Sequence, residues 1–169
     1  MPTLAVTVLG HDRPGIIADV TGVLAALGGN LEDSSMTLLR GHFAMTMLVT
    51  VEAAPDGVEA RLTPLLEGLT VSVRELPDEE PPQIGTTYVL SVHGGDRPGI
   101  VSTVTRLVAS HGGNIIDLTT RLAGDLYLLV AEVTLPSGTD EESLHQALDG
   151  VAKGLGVDVS LHVADTDVL

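Results

Sequence analysis

The sequence contains no cysteine and no tryptophan. Cysteine nucleophiles, disulfides and thiolate zinc sites are therefore excluded. Aromatic residues are scarce: Phe43, Tyr88 and Tyr127 are the whole set. Any core must be aliphatic, and platforms on which nucleic-acid bases stack are mostly missing. Basic residues are few: 8 Lys and Arg stand against 23 Asp and Glu, a net charge of −15. Such a surface repels a phosphate backbone, so direct nucleic-acid binding is not expected. The acidity serves solubility or offers a face to a basic protein partner.

Neither a secretory leader nor a membrane segment is expected. Residues 1–10, MPTLAVTVLG, have no basic start and no small-residue cleavage site. No apolar run approaches the roughly 20 residues that a membrane helix needs. A cytoplasmic location without membrane contact is the expectation. Catalytic signatures are absent too: there is no G-x-S-x-G, no phosphate-binding P-loop and no G-x-G-x-x-G. The six histidines, His11, His42, His93, His111, His145 and His162, form neither H-x3-H nor H-E-x-x-H. No metal, no cofactor and no catalytic residue is expected. The tail Asp165-Thr166-Asp167 reads as a frayed acidic terminus, with no catalytic domain expected beyond Leu169. Met36, Met45 and Met47 read as core or sheet-face residues.

What the sequence does contain is a duplication. Residues 10–33 read GHDRPGIIADVTGVLAALGGNLED, and residues 94–117 read GGDRPGIVSTVTRLVASHGGNIID. At an offset of 84, without gaps, 13 of 24 positions are identical. This is a structural repeat. A β-rich segment precedes each copy, TLAVTVL at 3–9 and TTYVLSVH at 86–93. After DRPG the apolar residues Ile16, Ile17, Val20, Val23, Leu24 and Leu27 fall on one helical face. Ile100, Val101, Val104, Leu107 and Val108 do the same in the second copy. Asp12 and Asp96 stand where an N-cap region begins, Pro14 and Pro98 suit the first helical position, and Gly28–Gly29 and Gly112–Gly113 supply the C-caps.

A strand pair follows in each half, at 30–39 and 43–52, then 114–122 and 126–135, with turns at Gly41–His42 and Gly124–Asp125. A second helix comes next. In the first half Asp56 and Glu59 read as its capping pair, with Val58, Leu62, Leu65, Leu66 and Leu69 on one face and a kink or late start at Pro64. In the second half Thr139 and Glu142 read as a capping box. Strands at 70–75 and 156–163 close the two halves. The order βαββαβ, twice, predicts an α+β fold: two ferredoxin-like units in tandem, each an antiparallel sheet with its helices on one face. The domains are expected at 1–76 and 86–169, joined by an extended acidic, proline-rich linker over 77–85.

A strand, then G-x-D-R-P-G-I, then an amphipathic helix ending in G-G-N, resembles the ACT domain, once per half. ACT domains bind amino acids and regulate an attached enzyme or a partner. A free-standing tandem pair resembles the glycine cleavage system transcriptional repressor family, whose members act on a transcription factor rather than on DNA. The resemblance implies a small effector, glycine or serine, held where modules pack side by side.

A free amino acid needs donors for its carboxylate and acceptors for its ammonium. Helix starts supply unpaired N–H groups and a favourable dipole. The candidate donors lie at Gly15 and Ile16, continuing to Ile17, and at Gly99 and Ile100, continuing to Val101. Glycine at 15 and 99 permits close approach. Asp12 and Asn30 are the candidate acceptors of the first half, Asp96 and Asn114 those of the second; Arg13 and Arg97 complete the set. By the same resemblance, many effector-binding members carry a polar side chain two positions before the Asp, where this chain has Gly10 and Gly94. Each candidate has a structural alternative. The aspartates can cap helices, the asparagines can be left-handed C-cap residues, and the arginines can pair with nearby acids. His11 and His93 flank the loops and can contact ligand or simply face water. The leading expectation is an amino-acid-sensing regulatory protein with a protein partner, homodimeric because each sheet leaves one face uncovered. The alternative is a ligand-free interaction module or scaffold.

Overall fold

The computed structural model describes residues 1–77 and 85–164. The linker predicted over 77–85 falls almost wholly outside the described residues, as does the tail at Asp165-Thr166-Asp167. The chain divides into two units. The first runs β1 (Thr3–His11), α1 (Ile16–Ala26), β2 (Asn30–Leu39), β3 (His42–Thr50), α2 (Pro55–Leu62) and β4 (Leu69–Glu75). The second repeats the order as β5 (Gly85–Gly95), α3 (Ile100–Ser110), β6 (Asn114–Ala123), β7 (Leu126–Pro136), α4 (Glu141–Leu155) and β8 (Val157–Val163). The sheets are antiparallel, with strand orders β2-β3-β1-β4 and β6-β7-β5-β8. These are the two ferredoxin-like units that the element order predicts. Among the described residues, no helix is long and apolar enough to cross a membrane.

Alternation drives the strands. On β1, Leu4, Val6 and Val8 are fully buried beneath the helices, and the residues between them face away. Phe43, Met45, Met47 and Val49 do the same on β3. Ile16, Val20 and Leu24 from α1, with Val58 and Leu62 from α2, close the first core. Burial of each such aliphatic side chain contributes about 1.5–3 kcal/mol. The second core repeats the pattern with Leu90, Val92, Ile100, Val104, Leu129 and Leu144.

The G-G-N punctuation acts as expected at its glycines. Gly28 takes φ 73°, and its N–H donates to Ala25 O at 3.0 Å while Gly29 N–H donates to Leu24 O at 2.9 Å. This pair of bonds is a Schellman motif. Gly29 is needed for a different reason: a Cβ there would lie 3.0 Å from both Leu24 O and Val49 Cγ1.

Several local expectations are corrected. α1 begins at Ile16, not at Pro14, because Gly15 is its N-cap and adopts φ 93°. α3 repeats this with Gly99 at φ 94°. The prolines sit in the loop before each helix. α2 opens on Pro55 with no side-chain cap. Glu59 instead accepts the Val73 N–H at 3.1 Å, tying α2 to β4. The helix ends at Leu62, with Thr63 as a C-cap that keeps helical dihedrals, because Pro64 has no N–H with which to continue the ladder. Leu65 consequently leaves the helical face and is exposed. α4 is capped by Asp140, which accepts from Ser143 N at 3.0 Å, rather than by Thr139. Thr139 is turned back onto Pro136 O. The first strand turn is Arg40–Gly41, one residue earlier than expected, with both φ values positive (50° and 82°).

Tyr88 of β5 is buried, and its hydroxyl donates to the Glu141 carboxylate at the start of α4. That bond, then burial, then the carboxylate's charge raise the tyrosine pKa above its ordinary value, against a smaller lowering by a bond with Thr86.

Candidate functional site

Between β1 and α1 the chain turns through Asp12, Arg13, Pro14 and Gly15. Three ties fix this loop. The Asp12 N–H donates to Gly41 O at 3.0 Å, which holds it to the β2–β3 turn. The Arg13 guanidinium donates to Asp19 at 3.1 Å and to Leu65 O at 2.8 Å, stitching the loop to α1 and to the segment after α2. Gly15 then takes the left-handed conformation from which the helix departs. Its carbonyl accepts the first helical bond, from Asp19 N at 2.8 Å. The N–H groups of Ile16, Ile17 and Ala18 thus precede the first intrahelical donor.

A pocket of about 470 Å3 lies over these amides, lined by Asp12, Arg13, Gly15, Ile16, Ile17, Ala18, Met36 and Phe43. The second unit repeats it. Asp96 N–H donates to Asp125 O at 3.2 Å, and Thr103 N–H donates to Gly99 O at 2.9 Å. The pocket there holds about 280 Å3 and is lined by Asp96, Arg97, Gly99, Ile100, Val101, Ser102 and Tyr127. Each pocket therefore joins backbone donors at a helix start to one exposed carboxylate.

Four of the five predicted residues in each half line these pockets: Asp12, Arg13, Gly15 and Ile16, and Asp96, Arg97, Gly99 and Ile100. The fifth does not. Asn30 and Thr3 both pair with Thr50, whereas His11 pairs with His42. Asn30 thus lies at the far end of its own sheet from Asp12, roughly 26 Å away at the usual rise per strand residue. Asn114 is displaced from Asp96 in the same way, since it pairs with Thr134 while Gly95 pairs with Leu126. Neither asparagine is a left-handed cap; both open strands.

The structural alternatives resolve differently. No side chain caps α1 or α3, so Asp12 and Asp96 are not helix caps. Arg13 does pair with an acid, Asp19. Arg97 instead packs on Gly156 at the end of α4, its guanidinium 3.4–3.5 Å from where a Cβ of that glycine would lie. His11 stacks on His42 with ring centroids 4.8 Å apart, and His93 pairs with Asp158 at 3.4 Å. Neither histidine lines these two pockets. Among the described residues, no group of three His, Cys, Asp or Glu is placed to hold a metal.

Gly10 and Gly94, two residues before each loop aspartate, are closely packed. At Gly10 a Cβ would lie 3.0 Å from Leu69 Cδ2 and 3.1 Å from Gly68 O; at Gly94 it would lie 2.8 Å from Val157 Cγ1. β4 and β8 occupy the space a side chain there would use. The pocket residues that sequence reasoning missed are Ala18, Met36, Phe43, Ser102 and Tyr127. A signal existed for two of them: each half places an aromatic residue shortly after its turn glycine, Phe43 two positions after Gly41 and Tyr127 three after Gly124, and these pair with Gly10 and Gly94.

A βαββαβ unit with a glycine-started first helix, present twice, defines a pair of ACT domains. The model of the ACT domain matches residues 2–76 and 86–162, and the chain belongs to that family. Its relatives include the glycine cleavage system transcriptional repressor of Escherichia coli, 27% identical over 96% of this chain and 90% of that protein. A solved protein of Galdieria sulphuraria is 32% identical, covers 96% of this chain and 98% of its own, and superposes with a TM-score of 0.84. The phosphoserine phosphatase of Streptomyces coelicolor is 29% identical over 97% of this chain, which spans 40% of that enzyme.

Proposed function

We propose that this chain is a regulatory protein that senses a small α-amino acid and alters its hold on a protein partner, such as a transcription factor. The observation that carries the reading is the repetition of one pocket at two helix starts, each with bare amides facing one carboxylate. The effector carboxylate would accept from Ile16 and Ile17 N–H in the first pocket and from Ile100 and Val101 N–H in the second. The helix dipole favours that anion. Asp12 or Asp96 would take the ammonium as a charge-assisted acceptor. Arg13 acts as an anchor of the loop, since both Nη2 donors are already engaged by protein oxygens. Asn30 and Asn114 would enter such a site only from a second module. Glycine and serine are the first candidates, because one relative is named for glycine cleavage and another for phosphoserine. Binding would bias the arrangement of modules and so the affinity for the partner.

Calorimetric titration of the full chain with each of the twenty amino acids tests this. Uptake of glycine or serine that is lost in Asp12→Ala/Asp96→Ala is the expected result. Heat from none of them, with native circular dichroism, leaves a ligand-free interaction module in its place.

A further inference from the structure

The first sheet has one face under its helices and one bare. The strand pairings sort the bare face into rows, each written in the order β2, β3, β1, β4. They are Asp33, Leu48, Ala5, Arg74; then Ser35, Thr46, Thr7, Ser72; then Thr37, Ala44, Leu9, Thr70; and Leu39, His42, His11 at the end. In a chain of net charge −15, the three inner rows hold one acid and one arginine, at opposite ends of a single row. Leu9 and Leu39 are each 51% exposed, and a hollow of about 300 Å3 lies between Thr7, Leu9, Ser35, Thr37, Ala44 and Thr46.

We propose that this face packs against the same face of a second copy of the chain, about a twofold axis parallel to the strands and running between β3 and β1. The rows argue for that operator. It sets each β2 position against the β4 position of the same row in the mate, and each β3 position against β1. Asp33 then meets the mate's Arg74, and Arg74 the mate's Asp33, so both charges are paired. Leu48 falls on Ala5 and Leu9 on Ala44, large side chain against small in each case, twice over. Ser35 meets Ser72, and Thr46 meets Thr7 beside the axis. An isologous interface requires such self-complementarity, and aligned sheets pack about 10 Å apart with interdigitated side chains. A basic foreign partner would instead call for acids in the inner rows, where there is only Asp33.

The second sheet's bare face is more charged, carrying Asp117, Glu132, Arg121 and Asp158. Arg121 and Asp158 also end a single row, but Asp117 lies directly beside Glu132, and the same operator would set those two carboxylates against His162 and Val89 of the mate. The first sheet, with each of its inner-row charges paired, is the better match to this operator. Four strands and four rows span roughly 19 Å by 27 Å. That is about 1,000 Å2 counted over both copies, the low end of specific interfaces. The dimer is accordingly concentration-dependent. This inference is independent of the effector reading.

Sedimentation velocity on the full chain over a concentration series tests it. Thr46→Arg places like charges at the axis and is expected to weaken dimerisation at least about tenfold, with circular dichroism confirming the fold. Asp33→Arg is the sharper test. It lowers the net negative charge, which alone would favour association, yet here it sets Arg against Arg and should weaken the dimer about fivefold. Adding Arg74→Asp restores the native net charge and both pairs, and should return the dissociation constant to within about twofold. Three outcomes overturn the proposal: a monomer at every concentration, association unmoved by Thr46→Arg, or a double variant no tighter than Asp33→Arg.

Discussion

Replacing Gly15 with alanine adds one methyl group and one backbone penalty, and the structure separates the two. The added Cβ would have open space, its nearest neighbour being Arg13 Nη1 at 3.8 Å. The methyl itself therefore costs nothing by collision. The backbone is another matter, because Gly15 holds φ 93°. A side chain in the left-handed region costs roughly 1–2 kcal/mol, offset by about 0.4–1 kcal/mol from the narrower unfolded ensemble. Taking the middle of each range, the net loss is about 0.8 kcal/mol. With a urea dependence near 2 kcal/mol per molar, the unfolding midpoint of the first unit falls by about 0.4 M. Gly22 is the internal control. It lies within α1, has nothing within 4 Å of its Cβ position, and its φ is not positive. Gly22→Ala should raise the midpoint by a similar amount, since glycine within a helix costs up to about 1 kcal/mol relative to alanine. Far-ultraviolet circular dichroism in urea reads both variants. A stabilising or neutral Gly15→Ala, or a destabilising Gly22→Ala, would refute the reasoning about how the loop launches the helix.

Two further outcomes can be checked. Tyr88 carries a raised pKa in the fold, so its contribution is complete below the unfolded value near 10 and is lost as pH climbs through the folded value. Native chain should therefore lose stability more steeply than Tyr88→Phe above about pH 10, as thermal melts in alkaline buffers would report; parallel curves would show that the bond to Glu141 is not what holds the proton. Gly10→Ser should destabilise the first unit by about 1–3 kcal/mol through crowding against Leu69. An undiminished urea midpoint for that variant would show that β4 yields.

The duplication, the element order and the fold class were all legible because they rest on periodicity and on glycine. The apolar face of α1 and the G-G turn at its end need no tertiary knowledge. Element starts were harder to read. Pro14 looks like a first helical residue by propensity, but Gly15 must turn left-handed first, and that pushes the helix to Ile16. Thr139 and Asp140 are both good caps, and only the course of the turn through Gly138 decides between them. The site was half legible: Asp12, Arg13, Gly15 and Ile16 are contiguous and could not avoid one another. Phe43 and Tyr127 enter through sheet register, which a local reading does not supply. Asn30 shows the converse, since a residue next to a helix end is carried the whole length of a strand from the other end of that helix.

Tyr127 lines the second pocket, while the corresponding place in the first belongs to Phe43. The chain has no tryptophan, and its other tyrosine, Tyr88, also lies in the second unit. All intrinsic emission excited near 280 nm thus originates from one half of the molecule. An effector settling over Tyr127 would announce itself optically, and one settling over Phe43 would do so far less directly. Fluorescence and calorimetry run on the same sample would then tell the two occupancies apart without any label.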